Sequence, residues 1–217
     1  MGTITRSFAN NITTSGVLLP ASLTNNSIAN VTAYNAAVSQ GNMVLISSQT
    51  ASNSASISFT TGISSTYKEY QFYFIDIHPR TNTAFLKFNL STDGGSNYNV
   101  TKTSTYFQAY HSESDLYTNL GYNTDEDLAQ STGDQTIFKN TSSDADSANC
   151  GVLQLFNPSS TTYVKHFIAV ASDARTDPTQ ANAFIAGYGN TTSAVNAIIF
   201  RMSSGNFDGT ILLYGIK

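Results

Sequence analysis

Three histidines, one cysteine and a cluster of carboxylates are the residues of this sequence that could carry chemistry. A nucleophilic serine or cysteine needs a base within hydrogen-bonding reach, and the base needs an orienting acid. The bases available are His78, His111 and His166. His78 precedes Pro79 at what reads as a strand end, and His111 opens an acidic stretch. His166 lies inside the run Tyr163–Val170, in step with Val164 and Ile168, which reads as a satisfied or half-buried strand histidine. No G-x-S-x-G elbow occurs, and among 28 serines one near a histidine is expected by chance. Cys150, in Ala148-Asn149-Cys150-Gly151, reads as a small packing residue at a strand entrance. No catalytic residue is expected.

Carboxylates lead to the same answer. Glycoside hydrolysis needs two of them held about 5 to 9 Å apart across a cleft. Here they gather between His111 and Asp134, where Glu113, Asp115, Asp125, Glu126, Asp127 and Asp134 occur without a single Lys or Arg. Asp125-Glu126-Asp127 reads as a solvated charge run. The segment Asp144-Ala-Asp146-Ser-Ala-Asn149 begins like a calcium loop, but its sixth position is Asn149 where the turn requires glycine. No Cys/His set suits zinc. Gly94-Gly95 sits between two strand patterns rather than before a helix, so it is not a phosphate loop. No metal and no cofactor is expected.

The elements that would position any site are strands. Period-two runs cover Met43–Ile46, Ala55–Phe59, Lys68–Ile77, Thr83–Ser91, Tyr98–Tyr110, Thr136–Lys139, Gly151–Phe156, Tyr163–Ala171, Ala183–Gly187, Ala194–Met202 and Thr210–Ile216. In Lys68–Ile77 both faces are apolar, as in a central strand, and Pro79 closes it. In Thr83–Ser91 the residues Ala84, Leu86, Phe88 and Leu90 point inward, with Lys87, Asn89 and Ser91 outward. Asp93-Gly94-Gly95-Ser96 turns the chain, and the Asp208-Gly209 ending of the 203–209 connection suits a hairpin loop. His111–Asp134 shows no steady period and reads as a long acidic surface loop. Many short strands and few helix signals give an all-β fold, an antiparallel β-sandwich of the jelly-roll kind over residues 46–217.

Composition narrows the partners. Charged residues make up 11% of the 217 residues and the formal net charge is −4, so there is no basic field for nucleic acid or an anionic membrane. No apolar run nears the 18 residues or so of a membrane span, and the N-terminus lacks the pattern of a signal peptide. One cysteine permits no disulfide within the chain, which suits assembly in a reducing cytoplasm. Between Arg6 and Lys68 no Asp, Glu, Lys or Arg occurs, although apolar residues are scattered through the segment. Residues 1–45 read as an extended N-terminal attachment arm, with Phe8, Val17, Leu18, Leu19 and Leu23 as its candidate assembly interface.

Two stretches carry a resemblance. Tyr67–Ile77 followed by Phe85–Ser96, with the sequence FLKFNLSTDGGS, resembles a strand, Pro, strand, DGGS arrangement of tailed-bacteriophage virion structural proteins. The ending Gly205–Lys217, with GTILLYG, is similar to the last strand of the same group. The resemblance implies a non-enzymatic, often trimeric particle component of the decoration, head-fibre or tail-fibre type. It would be located in the virion and assembled in the host bacterial cytoplasm. Its partners would be copies of itself, as a homotrimer, and the major capsid protein or another virion protein. A capsid decoration (cement) or head-fibre subunit is the reading taken forward. The alternatives are a tail-fibre subunit recognising host glycans through tyrosines such as Tyr117 and Tyr122, and a free-standing carbohydrate-binding module.

Overall fold

A computed structural model describes residues 42–217 of the chain. They form twelve strands and no helix: β1 (Met43–Ser54), β2 (Ser56–Phe59), β3 (Glu69–Pro79), β4 (Ala84–Ser91), β5 (Lys102–Ser112), β6 (Thr118–Tyr122), β7 (Gln135–Thr141), β8 (Asn149–Phe156), β9 (Lys165–Arg175), β10 (Thr179–Gly189), β11 (Ala197–Met202) and β12 (Phe207–Ile216). All pairings are antiparallel. Nine strands follow the hydrogen-bonded order β1-β12-β3-β8-β9-β7-β4-β11-β2, while β10, β5 and β6 continue outward from β9. Its two ends approach each other, since Gln49 Nε2 donates to the Ser58 carbonyl at 2.9 Å, so the sheet nearly closes into a barrel. The expected arm residues Phe8, Val17, Leu18, Leu19 and Leu23 lie outside the described residues, and β1 takes up the chain from Met43.

The core follows from strand alternation. Tyr70, Phe72, Phe74 and Ile77 of β3 and Ala84, Leu86, Phe88 and Leu90 of β4 are buried together. Phe200 of β11 is the aromatic centre, with ring centroids 6.2 Å from Phe59, 5.3 Å from Phe72, 5.1 Å from Phe74 and 6.5 Å from Phe88. Edge and tilted ring packing of this kind adds to what burial alone contributes. A bulge lets β3 keep both Phe74 and Ile77 inside: Asp76 has a φ of 51° and the ladder to β12 skips there. Gly209 lies opposite with a φ of 126°, and a Cβ on it would meet the Asp76 carbonyl oxygen at 2.6 Å. Gly209 is therefore a bulge residue and not the end of a hairpin. β11 pairs with β4 and β2, and β12 with β1 and β3, so the expected β11–β12 hairpin does not form.

Two further expectations are corrected. The acidic stretch 111–134 is not simply a surface loop, because it completes β5 and contains β6, and its end is tied to β5 by Lys102 and Ser131 pairing in both directions. That segment also covers the far side of β4. Asn89 is consequently buried, donating to the Thr132 carbonyl and Asp134 Oδ1, both at 2.9 Å. Ser91 is buried as well, its hydroxyl donating to Asp93 and accepting the amides of Asp93 and Gly95 at the expected turn.

β9 holds the fold's seam. Its first part pairs with β8 from Phe167 to Ser172, and its last residue, Arg175, pairs with Thr141 of β7. Between these two neighbours, side chains replace the ladder. Asp173 Oδ2 accepts the Lys139 amide at 3.1 Å, and Asn149 Oδ1 accepts the Ala174 amide at 2.9 Å. Asn149 Nδ2 in turn donates to the Ile77 carbonyl at 2.8 Å, next to the β3 bulge.

Because Phe200 touches four other rings, Phe200→Ala should cost about 3 to 5 kcal/mol of unfolding free energy, and Phe200→Leu distinctly less. Denaturant unfolding of both variants checks this. Equal losses, or a loss below about 1 kcal/mol for alanine, would contradict the central role given to this ring.

Candidate functional site

The residues singled out in the sequence are not brought together. His78 Nδ1 lies 2.7 Å from the Ser147 carbonyl, His111 Nε2 lies 2.9 Å from Asp115 Oδ1, and the His166 ring is 5.9 Å from that of Tyr188. His166 keeps step with Ile168 as expected, but that parity faces outward and leaves it exposed, while Lys165 beside it is the buried residue. The run Asp125-Glu126-Asp127 is also not uniformly solvated. Glu126 is buried, 3.2 Å from Lys139 Nζ, and accepts the Thr136 hydroxyl at 2.6 Å. Asp127 accepts the Tyr122 hydroxyl at 2.6 Å. Among the described residues no group of three His, Cys, Asp or Glu side chains could hold a metal ion.

The structure instead presents an outward sheet face that sequence reasoning did not find. Antiparallel register places Tyr122, Phe107, Phe184, Val170, Val152, Tyr73 and Leu212 opposite one another on seven successive strands, β6, β5, β10, β9, β8, β3 and β12. Cross-strand neighbours of this kind stand close enough for their side chains to touch. The Phe107 and Phe184 rings stack at 5.1 Å and 13°, yet remain 42% and 38% exposed. Ile168 and Leu120 are exposed on the same side, at 44% and 71%. Glu69, the bulge residue Asp76 and Asp208 bring a formal charge to this side of the seven strands, where His78, His111 and His166 also stand, and Asp208 is paired with Arg80 at 2.7 Å. Glu69 is held by amides, Gln71 Nε2 at 2.7 Å and Gln154 Nε2 at 3.1 Å. One end of the face sinks into a depression of about 460 Å³, lined by Thr105, Phe156, His166, Ile168, Ala186 and Tyr188.

Buried polar groups lie instead beneath the 123–134 segment and at the seam. Lys102 is buried, its ammonium donating to Asn89 Oδ1 at 2.6 Å and the Val100 carbonyl at 2.8 Å, and burial pulls its pKa down to about 8 against the opposing pull of Asp134. Asp134 makes a two-pronged pair with Arg201, at 2.6 and 2.8 Å. Burial raises that carboxyl, but the hydrogen bonds from Arg201 and Asn89 outweigh it and its pKa ends below the ordinary value. At the seam, Asp173 is fully buried 3.4 Å from Arg175, whose other contact is Gln108 Oε1 at 2.6 Å. Burial drives the Asp173 carboxyl up to about 7, only partly offset by the Lys139 amide and Arg175.

No family model matches the chain, and neither a curated protein nor a solved structure shows a significant match to it.

Two outcomes follow from this electrostatic arrangement. The Asp173 carboxyl has a folded-state pKa above its unfolded value of about 3.9, so burial of its charge costs nothing below about pH 4 and costs most above about pH 7. Stability should fall across that interval through this group, and Asp173→Asn should remove that part of the slope. Carboxyl NMR showing Asp173 titrating near pH 4 would contradict it. Since Glu126 is already paired with Lys139, added calcium should leave the melting temperature unchanged. A rise of several degrees, lost in the double variant Asp125→Asn with Asp127→Asn, would show that this loop binds the ion.

Proposed function

We propose that this chain is a non-enzymatic structural subunit of a tailed-bacteriophage particle, a capsid decoration or head-fibre subunit. In this reading residues 46–217 form a jelly-roll head, residues 1–45 attach it to the major capsid protein or another virion protein, and the subunits associate as a homotrimer. The observation that carries the reading is the placement of the two stretches that resemble phage virion proteins. Residues 97–204 separate them in sequence, yet β12 pairs with β3 from Phe207 opposite Pro79 to Ile216 opposite Glu69. They thus fold into one structural unit, which supports a shared architecture over two coincidental runs. The Asp93–Ser96 turn of the first stretch is itself built by side chains, with Asp93 accepting from Ser91 and Asn97, and these bonds hold its carboxyl down at about 2.

A second reading has one observation in its favour. The depression beside Tyr188 and His166 combines ring faces with the hydroxyl of Thr105, the mixture that a sugar ring requires. This would suit a receptor-binding subunit or a carbohydrate-binding module. Saturable binding of a host surface glycan, lost in Tyr188→Ala, would favour it over the first.

Attachment is tested by deleting residues 1–40. The remaining chain should melt within a few degrees of the full protein, while its incorporation into particles is lost. Undiminished incorporation, or failure of the shortened chain to fold, would contradict the attachment role.

A further inference from the structure

We infer that the outward face of β6, β5, β10, β9, β8, β3 and β12 is the surface through which copies of this chain assemble, with the stacked Phe107 and Phe184 as its principal aromatic contact. The inference deepens the structural-subunit reading and rests on it for the number of copies, three, arranged with this face towards their common axis.

Size is the first argument. The apolar row crosses seven strands, and at about 4.8 Å per strand it spans about 29 Å. Along β5, Thr103 to His111 extends about 27 Å, so the face offers about 800 Å², the area one partner contributes to a stable interface of ordinary size.

Charge selects the occupant. A foreign protein is usually addressed by complementary charge, and this face has almost none to offer. The same poverty removes the obstacle to self-association. Opposing faces of identical chains would meet with little like-charge repulsion, since Glu69 is already held by two amides, Asp208 is neutralised by Arg80, and Asp76 lies off the row of Phe107 and Phe184. The acidic groups Asp115 and Asp125 stand beyond the ends of β6, and Asp127, at the β6 end of the row, is occupied by the Tyr122 hydroxyl. Stacked aromatic rings flanked by Val170, Val152 and Tyr73 are the type of side chain that dominates interface energetics once water is excluded.

The chain carries its own reporter. Cys150, its one cysteine, is exposed in the single chain and stands on this face, two residues from Val152 and opposite Ser172. Light scattering on the purified full chain should give three times 23.3 kDa, and Cys150 should react with a maleimide at least tenfold more slowly than in a dispersed chain. The double variant Phe107→Glu with Phe184→Glu should be monomeric and label fast, and Val170→Lys serves if the double variant does not fold. Lys87→Glu, on the outward side of β4, should leave mass and labelling unchanged. A monomeric wild type, or an oligomer that persists with slow labelling in the folded face variants, overturns the inference. Absence of the protein from purified particles would instead defeat the virion reading while leaving the mass and labelling results standing.

Discussion

The fold depends on how β9 changes neighbours. A strand that pairs with β8 and then hands over to β7 leaves backbone groups without a ladder at the junction, and buried backbone groups left unpaired are costly. Asp173 and Asn149 supply the missing partners, one for the Lys139 amide and one for the Ala174 amide. The handover joins the strands that carry Tyr70, Phe72 and Phe74 to those that carry Leu86, Phe88 and Phe200, so one aromatic core can form between them. A buried carboxylate is the cost of that junction, and its burial accounts for the strongly raised pKa of Asp173.

Turning so many polar groups inward shapes the outside. Asp173, Arg175, Glu126, Lys139 and Lys102 are occupied at the seam and beneath the 123–134 segment, and the wide sector from β6 to β12 is left mostly with serines, threonines, amides and aromatic rings. A protein with 11% charged residues that buries several of them has few left for its surface. The outward row of Phe107 and Phe184 is therefore connected to the seam. Both come from placing charge where it mends the backbone instead of where it meets water.

Much of the strand content was legible, because period-two burial is a local signal. β4 kept all four of its expected inward residues, and β3 was recognisable as a central strand from its two apolar faces. The errors arose where tertiary context decides. Asn89 and Ser91 have the polarity of an exposed face; Asn89 is buried because the 123–134 segment lies over it, and Ser91 because it is folded into the Asp93–Ser96 turn. β6, with the sequence TNLGY, has too little alternation to be seen and exists by pairing with β5. Asp208-Gly209 has hairpin chemistry but serves a bulge, since a turn signal does not say which strands will pair. Of the site, the sequence showed single aromatic residues. Their alignment across seven strands depends on register and could not be read from any one segment.

The seam is the claim on which the rest stands, and amide hydrogen exchange of the full chain at Lys139 and Ala174 tests it most directly. Both amides are donated only to side chains that bridge the handover, Asp173 and Asn149. If these bonds close the barrel, the Lys139 and Ala174 amides should exchange at the rate of global unfolding, like those of β3 and β12, and should lose that protection in Asp173→Ala and Asn149→Ala respectively. Exchange at both positions as fast as at exposed Thr124 would contradict the account, because the barrel would then be held without its seam.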